Sequence, residues 1–425
     1  MKQQLMKSIA GWTIILVTIF SAVLIYFFQQ FSLLFLLLLL FEIVLAVRYR
    51  KIFTPAMVRV SQILIGLLFL FSGFVKAVDP LGTAYRIEDY LHAYGLQHDF
   101  TVALILSFVL NAAELLLGGL ILLNIKPRVT PWLVAFMMGV FTLTTLYDAL
   151  YNPVPDCGCF GDAVKMTNWQ TFYKNLVINV FVLIAVFGRL RLRAVYGNVA
   201  EWSAAVVLAA LFVWFQYFNF SDLPILDFRP YKVGNRITPE NPQPVKNFLT
   251  YKNKITGETK EYLSPNFPFD DPEWLENWEF VEMRTEDPNR ISGVNLAIVD
   301  MNGDDVTQMI AQNPDYQFFV VAWNLEKTNI EAFQKINEWS KQTEEKGIRL
   351  IALTSSEDSV ISRFIEENEL NSAIEFFHGD DTELKAMVRA NPGLILIKNG
   401  LIIQNWHHNK IPDWEWLNDT YFDDL

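Results

Sequence analysis

The sequence predicts a multi-pass α-helical membrane bundle of about seven spans, followed by an extracytoplasmic α/β domain. Three observations carry this expectation. The 425 residues divide near Asn219, with apolar runs before it and mixed, charged, tryptophan-bearing sequence after it. Basic residues concentrate in alternate loops of the first part. After Ile291, apolar runs of strand length alternate with helical periodicity. A chain that is 52% hydrophobic with a net charge of −12, so unevenly distributed, is not one soluble domain. Membrane lipids are the expected surroundings of the first part, and no nucleic-acid partner is expected.

A helix crosses the hydrocarbon core with roughly 20 mostly apolar residues. The qualifying runs are 9–28, 31–47, 59–78, 100–124, 129–150, 172–188 and 198–218, of which 31–47 and 172–188 are short. Lys2 and Lys7 precede the first run as in a signal peptide. No small-x-small cleavage site follows, and a second apolar run begins almost at once, so the segment is read as retained. Residues 1–56 are then an N-terminal membrane hairpin. The basic residues Lys2, Lys7, Arg48, Arg50, Lys51, Arg59, Lys126, Arg128, Arg189, Arg191 and Arg193 flank one side, while the alternate loops are poorer in them. The positive-inside rule therefore places the amino terminus in the cytoplasm and everything after Asn219 outside. In a bacterial inner membrane that outside is the periplasm.

Several polar residues stand where hydrocarbon is expected. Asn111 and Glu114 lie three residues apart on one face of the fourth run, where a carboxylate faces the bundle interior and is paired or protonated. Gly118–Gly119 beside them permits close helix packing, so a polar clamp between helices explains the pair as well as a proton site does. Lys76 and Asp79 sit at the bilayer edge before Pro80, and "TAYRIEDYLHAYGL" reads as an amphipathic interfacial helix. A snorkelling lysine is the simple account of that edge. A cofactor headgroup site lined by Lys76, Asp79, Arg86, Glu88 and Asp89 is the alternative. Asp148 and Tyr147 close the fifth run.

Both cysteines, Cys157 and Cys159, fall in "NPVPDCGCFGDAV", between the fifth and sixth runs and on the outer side. Thiols there are exposed to oxidising conditions, and no other cysteine completes a disulfide framework. A Cys-Gly-Cys disulfide closes a small ring with demanding geometry, which Gly158 eases. So small a ring gains little as a staple, whereas strained bridges exchange readily. A redox-active pair, a loop-shaping pair and metal ligation all remain open.

The segments "LIGLLFLFSGFVKAVDPLGTAYRIEDYL", "NAAELLLGG", "FTLTTLYDAL" and "DCGCFGDAVKMTNWQTFYKN", in this order, resemble the DoxX-like family that includes the methylamine-utilisation membrane protein MauE. The resemblance covers about residues 57–188 and implies a DoxX-like four-helix core, with 189–218 as an additional span. It further implies a link to maturation of a disulfide-rich periplasmic enzyme and to quinone-linked sulfur oxidation. The extra spans and long outer tail depart from the family, so methylamine metabolism itself is not implied.

Residues 219–290 read as a proline-rich linker (219–245) followed by a small β-hairpin at 248–263. Residues 291–425 form the expected α/β domain. "QFFVVAWN", "IRLIALTS", "IEFFHG" and "GLILIKNG" are its strands, and "NIEAFQKINEWSKQTEEKG" and "EDSVISRFIEENEL" are its helices. Ala390-Asn391-Pro392-Gly393 before "LILIK" resembles the cis-proline loop of thioredoxin-like domains, with Pro392 in the cis-proline position. Such domains act through a low-pKa thiolate after the first buried strand. Here "VVAWNLEKTNIEAF" holds no cysteine, so this domain does not exchange disulfides alone. His407 and His408 are adjacent and point to opposite strand faces, which leaves no metal site.

Two readings follow. In the first, Cys157 and Cys159 are a catalytic thiol–disulfide pair passing electrons between outer thiols and a membrane quinone. Lys76, Asp79, Asn111, Glu114, Asp148 and Lys174 then serve proton transfer or cofactor binding, and thiol- or disulfide-bearing periplasmic proteins are the partners. In the second, the chain is a non-enzymatic scaffold or assembly factor whose cysteine-free outer domain binds periplasmic partners.

Overall fold

The computed structural model describes residues 9, 11–20, 40–41, 43–44, 47–48, 50–96, 99–154, 157–241, 243–286 and 288–423. The chain divides into two compact units, Met1–Phe228 and Arg229–Leu425.

Among the described residues of the first unit, a short apolar helix α1 (Gly11–Phe20) precedes five helices long and apolar enough to cross a membrane. These are α2 (Pro55–Val78), α4 (Phe100–Leu122), α5 (Thr130–Tyr151), α6 (Asn168–Gly188) and α7 (Asn198–Phe220), with the shorter α3 (Pro80–Ala93) between the first two. The expected spans 9–28 and 31–47 lie largely outside the described residues. The other five expected runs coincide with these five helices to within a few residues.

Small residues bring α2 and α4 together. A Cβ on Gly73 would stand 2.9 Å from the Leu115 backbone nitrogen, and one on Gly118 would stand 2.8 Å from that of Leu70. Such backbone approach drives helix association where lipid is as apolar as the side chains. Polar side chains join α5 to α6: Asn175 Nδ2 donates to Thr145 Oγ1 (3.0 Å) and Asn179 Nδ2 to Thr142 Oγ1 (2.8 Å). The core between them gathers Phe69, Leu117, Met138, Leu176, Val180 and Ile184. Helix α7 adds to α4 through Gln216 Nε2, which donates to the Phe108 carbonyl at 3.3 Å, and at its start Glu201 pairs with Lys126 at 3.3 Å.

Among its described residues the second unit holds two sheets. In the small one, β1 (Lys246–Asn253) pairs antiparallel with β2 (Thr259–Leu263) and with β3 (Trp278–Glu286). Tyr251 packs there against Trp274 of α8 (Pro272–Asn277), with ring centres 4.7 Å apart. The large sheet is mixed, in the order β4 (Ile298–Val299), β7 (Ile374–Gly379), β6 (Arg349–Thr354), β5 (Tyr316–Val321), β8 (Gly393–Lys398), β9 (Leu401–His407). Strands β5, β6 and β7 run parallel, and β8 and β9 follow antiparallel. Strands covered on both faces read as unbroken apolar runs. Phe318–Val321, Leu350–Leu353 and Leu394–Ile397 are accordingly all fully buried. Helices α9 (Ile330–Glu338) and α10 (Asp358–Glu367) cover the sheet with Phe333 and Phe364, whose rings lie 5.1 Å apart.

The linker expected over 219–245 is shorter than its proline content suggests. Gly234 N donates to the Ile402 carbonyl and Ile402 N to that of Asn235, both at 2.9 Å, and Ile237 N donates to Gly400 at 2.7 Å. Residues 229–238 thus dock beside β9, with Arg229 and Tyr231 buried.

Candidate functional site

The cysteine loop is pinned at both ends. Helix α5 stops at Asn152, whose left-handed φ of 50° turns the chain. Asn168 Nδ2, at the start of α6, donates to Asn152 Oδ1 (2.8 Å) and the Val154 carbonyl (3.0 Å). Thr167 and Gln170 cap α6 reciprocally. Between these anchors Gly158 adopts φ +62°, and Gly161 N closes a turn on the Gly158 carbonyl at 3.0 Å. That conformation suits glycine, which has no Cβ to clash.

The loop folds back into the mouth of the bundle. Phe160 is buried 5.5 Å from the Phe71 ring, with the Lys174 ammonium 4.4 Å from its centre. Ser72 Oγ, on α2, stands 2.8 Å from the Cys159 carbonyl and 2.8 Å from Glu114 Oε2. The other carboxylate oxygen of Glu114 takes Lys76 Nζ at 2.5 Å, and only 6% of Lys76 and 1% of Glu114 are exposed.

Beside this chain, Asn111 Nδ2 donates to the Lys76 carbonyl (3.2 Å), and Ser107 Oγ donates to Pro80 (2.7 Å). On the other side of the loop the Tyr90 hydroxyl donates to Asp148 Oδ2 at 2.6 Å. Asn111 Oδ1 and Asp148 Oδ1 are buried without a hydrogen-bond partner among the described residues.

The two half-buried thiols differ. Cys159 is lowered to about 6, first because the Cys157 thiol donates a hydrogen bond to its sulfur; the Lys174 and Lys76 cations add to this against the cost of burial. Cys157, as that donor, is raised well above the ordinary thiol value, and burial raises it further. One sulfur is therefore prepared as a thiolate and its neighbour keeps a proton. Burial, then the bond to Asp148, holds the Tyr90 hydroxyl protonated, and both thiols lie within its electrostatic reach.

The structure thus gathers Cys157, Cys159, Lys76, Glu114, Asn111, Asp148 and Lys174. Asp79 instead caps α3, accepting from Gly82 N at 2.9 Å. Arg86 pairs with exposed Asp89 at 3.2 Å, and its Cγ lies 3.2 Å from where a Cβ on Gly158 would stand. Ser72 and Tyr90 complete the site; a serine inside an apolar span and a tyrosine on an interfacial helix were the signals for them. In the second unit the Asn391–Pro392 peptide is cis, and Asn391 closes onto the turn after β5. Its Nδ2 donates to Asn324 and its carbonyl accepts from Asn329 N, both at 2.8 Å. No group of His, Cys, Asp and Glu suited to a metal ion occurs among the described residues.

A curated relative, Protein TlpB of Flavobacterium psychrophilum, is 31% identical over 131 residues, which is 30% of this chain and 35% of that protein. The chain thus spans about a third of the length of the curated relative it matches. No solved structure matches the chain. The family described as methylamine utilisation protein MauE matches residues 54–192, so the stretch carrying α2 to α6 and the cysteine loop is a MauE-family domain.

Proposed function

We propose that this chain is a thiol–disulfide redox protein of the bacterial inner membrane, with Cys157 and Cys159 as its exchanging pair on the periplasmic face. One observation carries the reading: the two cysteines sit one residue apart on a loop turned at Gly158, with the Cys159 backbone held by Ser72 beside a buried lysine–glutamate pair, a setting that favours thiolate at Cys159 and thiol at Cys157. A structural staple needs no such asymmetry.

In the dithiol form the Cys159 thiolate attacks a partner disulfide. A Cys159–partner bond forms, the partner's disulfide breaks, and one partner thiolate leaves. Cys157 then loses its proton and attacks Cys159, releasing the second partner thiolate and forming the Cys157–Cys159 disulfide. Two electrons pass from the pair to the partner. The reverse sequence oxidises a partner dithiol, and a membrane quinone is the class of oxidant that would then restore the disulfide.

The residues fit a quinone headgroup. Lys76 and Lys174 would supply ammonium donors for its carbonyl oxygens, and the unpartnered Asn111 Oδ1 would accept from a hydroxyl of the reduced ring. When bound, the quinone supplies two-electron, two-proton oxidising capacity.

The outer unit reads best as a thioredoxin-like domain. Its β6-β5-β8-β9 order, with β5 and β6 parallel and β8 and β9 antiparallel, supports this. The turn after β5 lacks cysteine and is closed by Asn391, which favours a role in holding partners. That feature also supports the second reading, a scaffold without catalysis.

Single Cys157→Ser and Cys159→Ser variants distinguish the two. Exchange predicts that each abolishes thiol–disulfide activity at normal membrane levels, and that Cys157→Ser traps a mixed disulfide through Cys159. Full function in a cysteine-free variant refutes it.

A further inference from the structure

Exchange at this pair requires a base. Once the mixed disulfide has formed on Cys159, the Cys157 proton must leave before its sulfur can attack. The groups around the cysteine loop come from five helices: Lys76 on α2, Glu114 on α4 and Lys174 on α6 act on the thiols, Arg86 on α3 lies against Gly158, and Tyr90 one turn further along α3, within electrostatic reach of both thiols, carries Asp148 of α5 behind it. Lys76, Lys174 and Arg86 are cations and offer no acceptor. Glu114 is held in an ion pair by Lys76 at 2.5 Å, which keeps its carboxylate charged and makes it a poor proton acceptor. Asp148 differs, because its Oδ2 takes the Tyr90 hydroxyl while its fully buried Oδ1 has no partner among the described residues. Asp148 also has no ion pair among the described residues, unlike Glu114, so no cation holds its charge in place. A phenol both donates and accepts, so Tyr90 can pass a proton on to the carboxylate it touches.

Resting on the exchange reading above, we propose that Asp148, acting through Tyr90, takes the proton from Cys157 as that thiol resolves the mixed disulfide. The Cys157 proton moves through water to the Tyr90 oxygen as Tyr90 gives its own to Asp148. The Cys157 sulfur attacks Cys159, the Cys159–partner bond breaks, and the partner leaves as thiolate. One negative charge moves from the carboxylate to the leaving sulfur, and no external oxidant or reductant enters this step. Tyr90 and Asp148 therefore govern the second chemical step and leave the first alone.

The test uses the reduced full-length protein in nanodiscs and 5,5′-dithiobis(2-nitrobenzoate), a disulfide whose thiolate absorbs visible light. Attack by Cys159 releases one thionitrobenzoate, and resolution by Cys157 releases a second. Tyr90→Phe and Asp148→Asn should leave the first release close to wild type and slow the second by roughly 100-fold, the scale of general base catalysis. In Asp148→Asn the second release should also become first order in hydroxide, and Asp148→Glu should recover most of the rate. Equal slowing of both releases, or no slowing of either, overturns the proposal. A wild-type protein that gives no first release contradicts the exchange reading itself, a different outcome. Tyr90→Phe keeps the test decisive if Asp148→Asn fails to insert.

Discussion

Replacing Lys76 by methionine keeps the length of the stem and removes one charge. The partner, Glu114, is 1% exposed, and the 2.5 Å contact with Lys76 is its one ion pair among the described residues. Removing one member of a buried pair costs about 3–5 kcal/mol, because the other is left uncompensated, whereas removing both is often close to neutral. Lys76→Met should therefore destabilise the bundle by about 3–5 kcal/mol, and adding Glu114→Gln should return most of that loss. Gln retains an oxygen for Ser72, so the contact through Ser72 to the Cys159 carbonyl survives in the double variant. The assay is reversible unfolding in mixed micelles titrated with a denaturing detergent, read by circular dichroism and fitted as a double-mutant cycle. Two small and additive single effects, each of about 1 kcal/mol or less as for an exposed pair, would refute the buried-cluster argument.

Alkylation of the reduced protein by iodoacetamide should separate the thiols by pH. Cys159 should react with a midpoint near pH 6 and reach its plateau by neutrality, while Cys157 reacts only at high pH; equal midpoints contradict the polarised pair. The linked stability has the corresponding sign: the lowered Cys159 value adds stability fully present above the ordinary thiol range, and that stability is lost as pH falls through about 6. Gly158→Ala places a side chain at φ +62° and against Arg86, so it should cost roughly 1–2 kcal/mol and slow exchange; unchanged stability would show that the loop relaxes freely. Reporter fusions after Asn198 and after Asn219 should give opposite sidedness, and equal signals would remove α7 as a span.

Much of the first unit was legible because crossing a bilayer demands long apolar runs that few other structures need. The exception at its margin is instructive: α6 begins at Asn168, before the apolar run at 172, because Thr167 and Gln170 cap a polar first turn. Strands β5, β6 and β8 were visible for a related reason, being buried on both faces. Strand β3 was not, since it is a solvent-exposed edge strand with no consistent apolar alternation. Within the site, Glu114 announced itself by the cost of burying a carboxylate, and Asp148 by its place at the end of the fifth run near the cysteine loop. Ser72 and Tyr90 did not, because Ser72 meets Glu114 across 42 residues of sequence and Tyr90 meets Asp148 across 58. Contacts so distant along the chain leave no local pattern. The docking of residues 229–238 beside β9 was hidden the same way, since prolines that suggest a linker serve equally in an extended strap.

The most direct test of the central claim is the redox state of Cys157 and Cys159 in native membranes, read by acid quenching and thiol trapping with a mass-shifting maleimide. A working exchange pair should be found in both dithiol and disulfide forms, shifting toward dithiol when a reducing thiol is supplied to the outer face and returning when it is withdrawn. A pair locked in one form under every condition, whether always bridged or always reduced, would contradict the account.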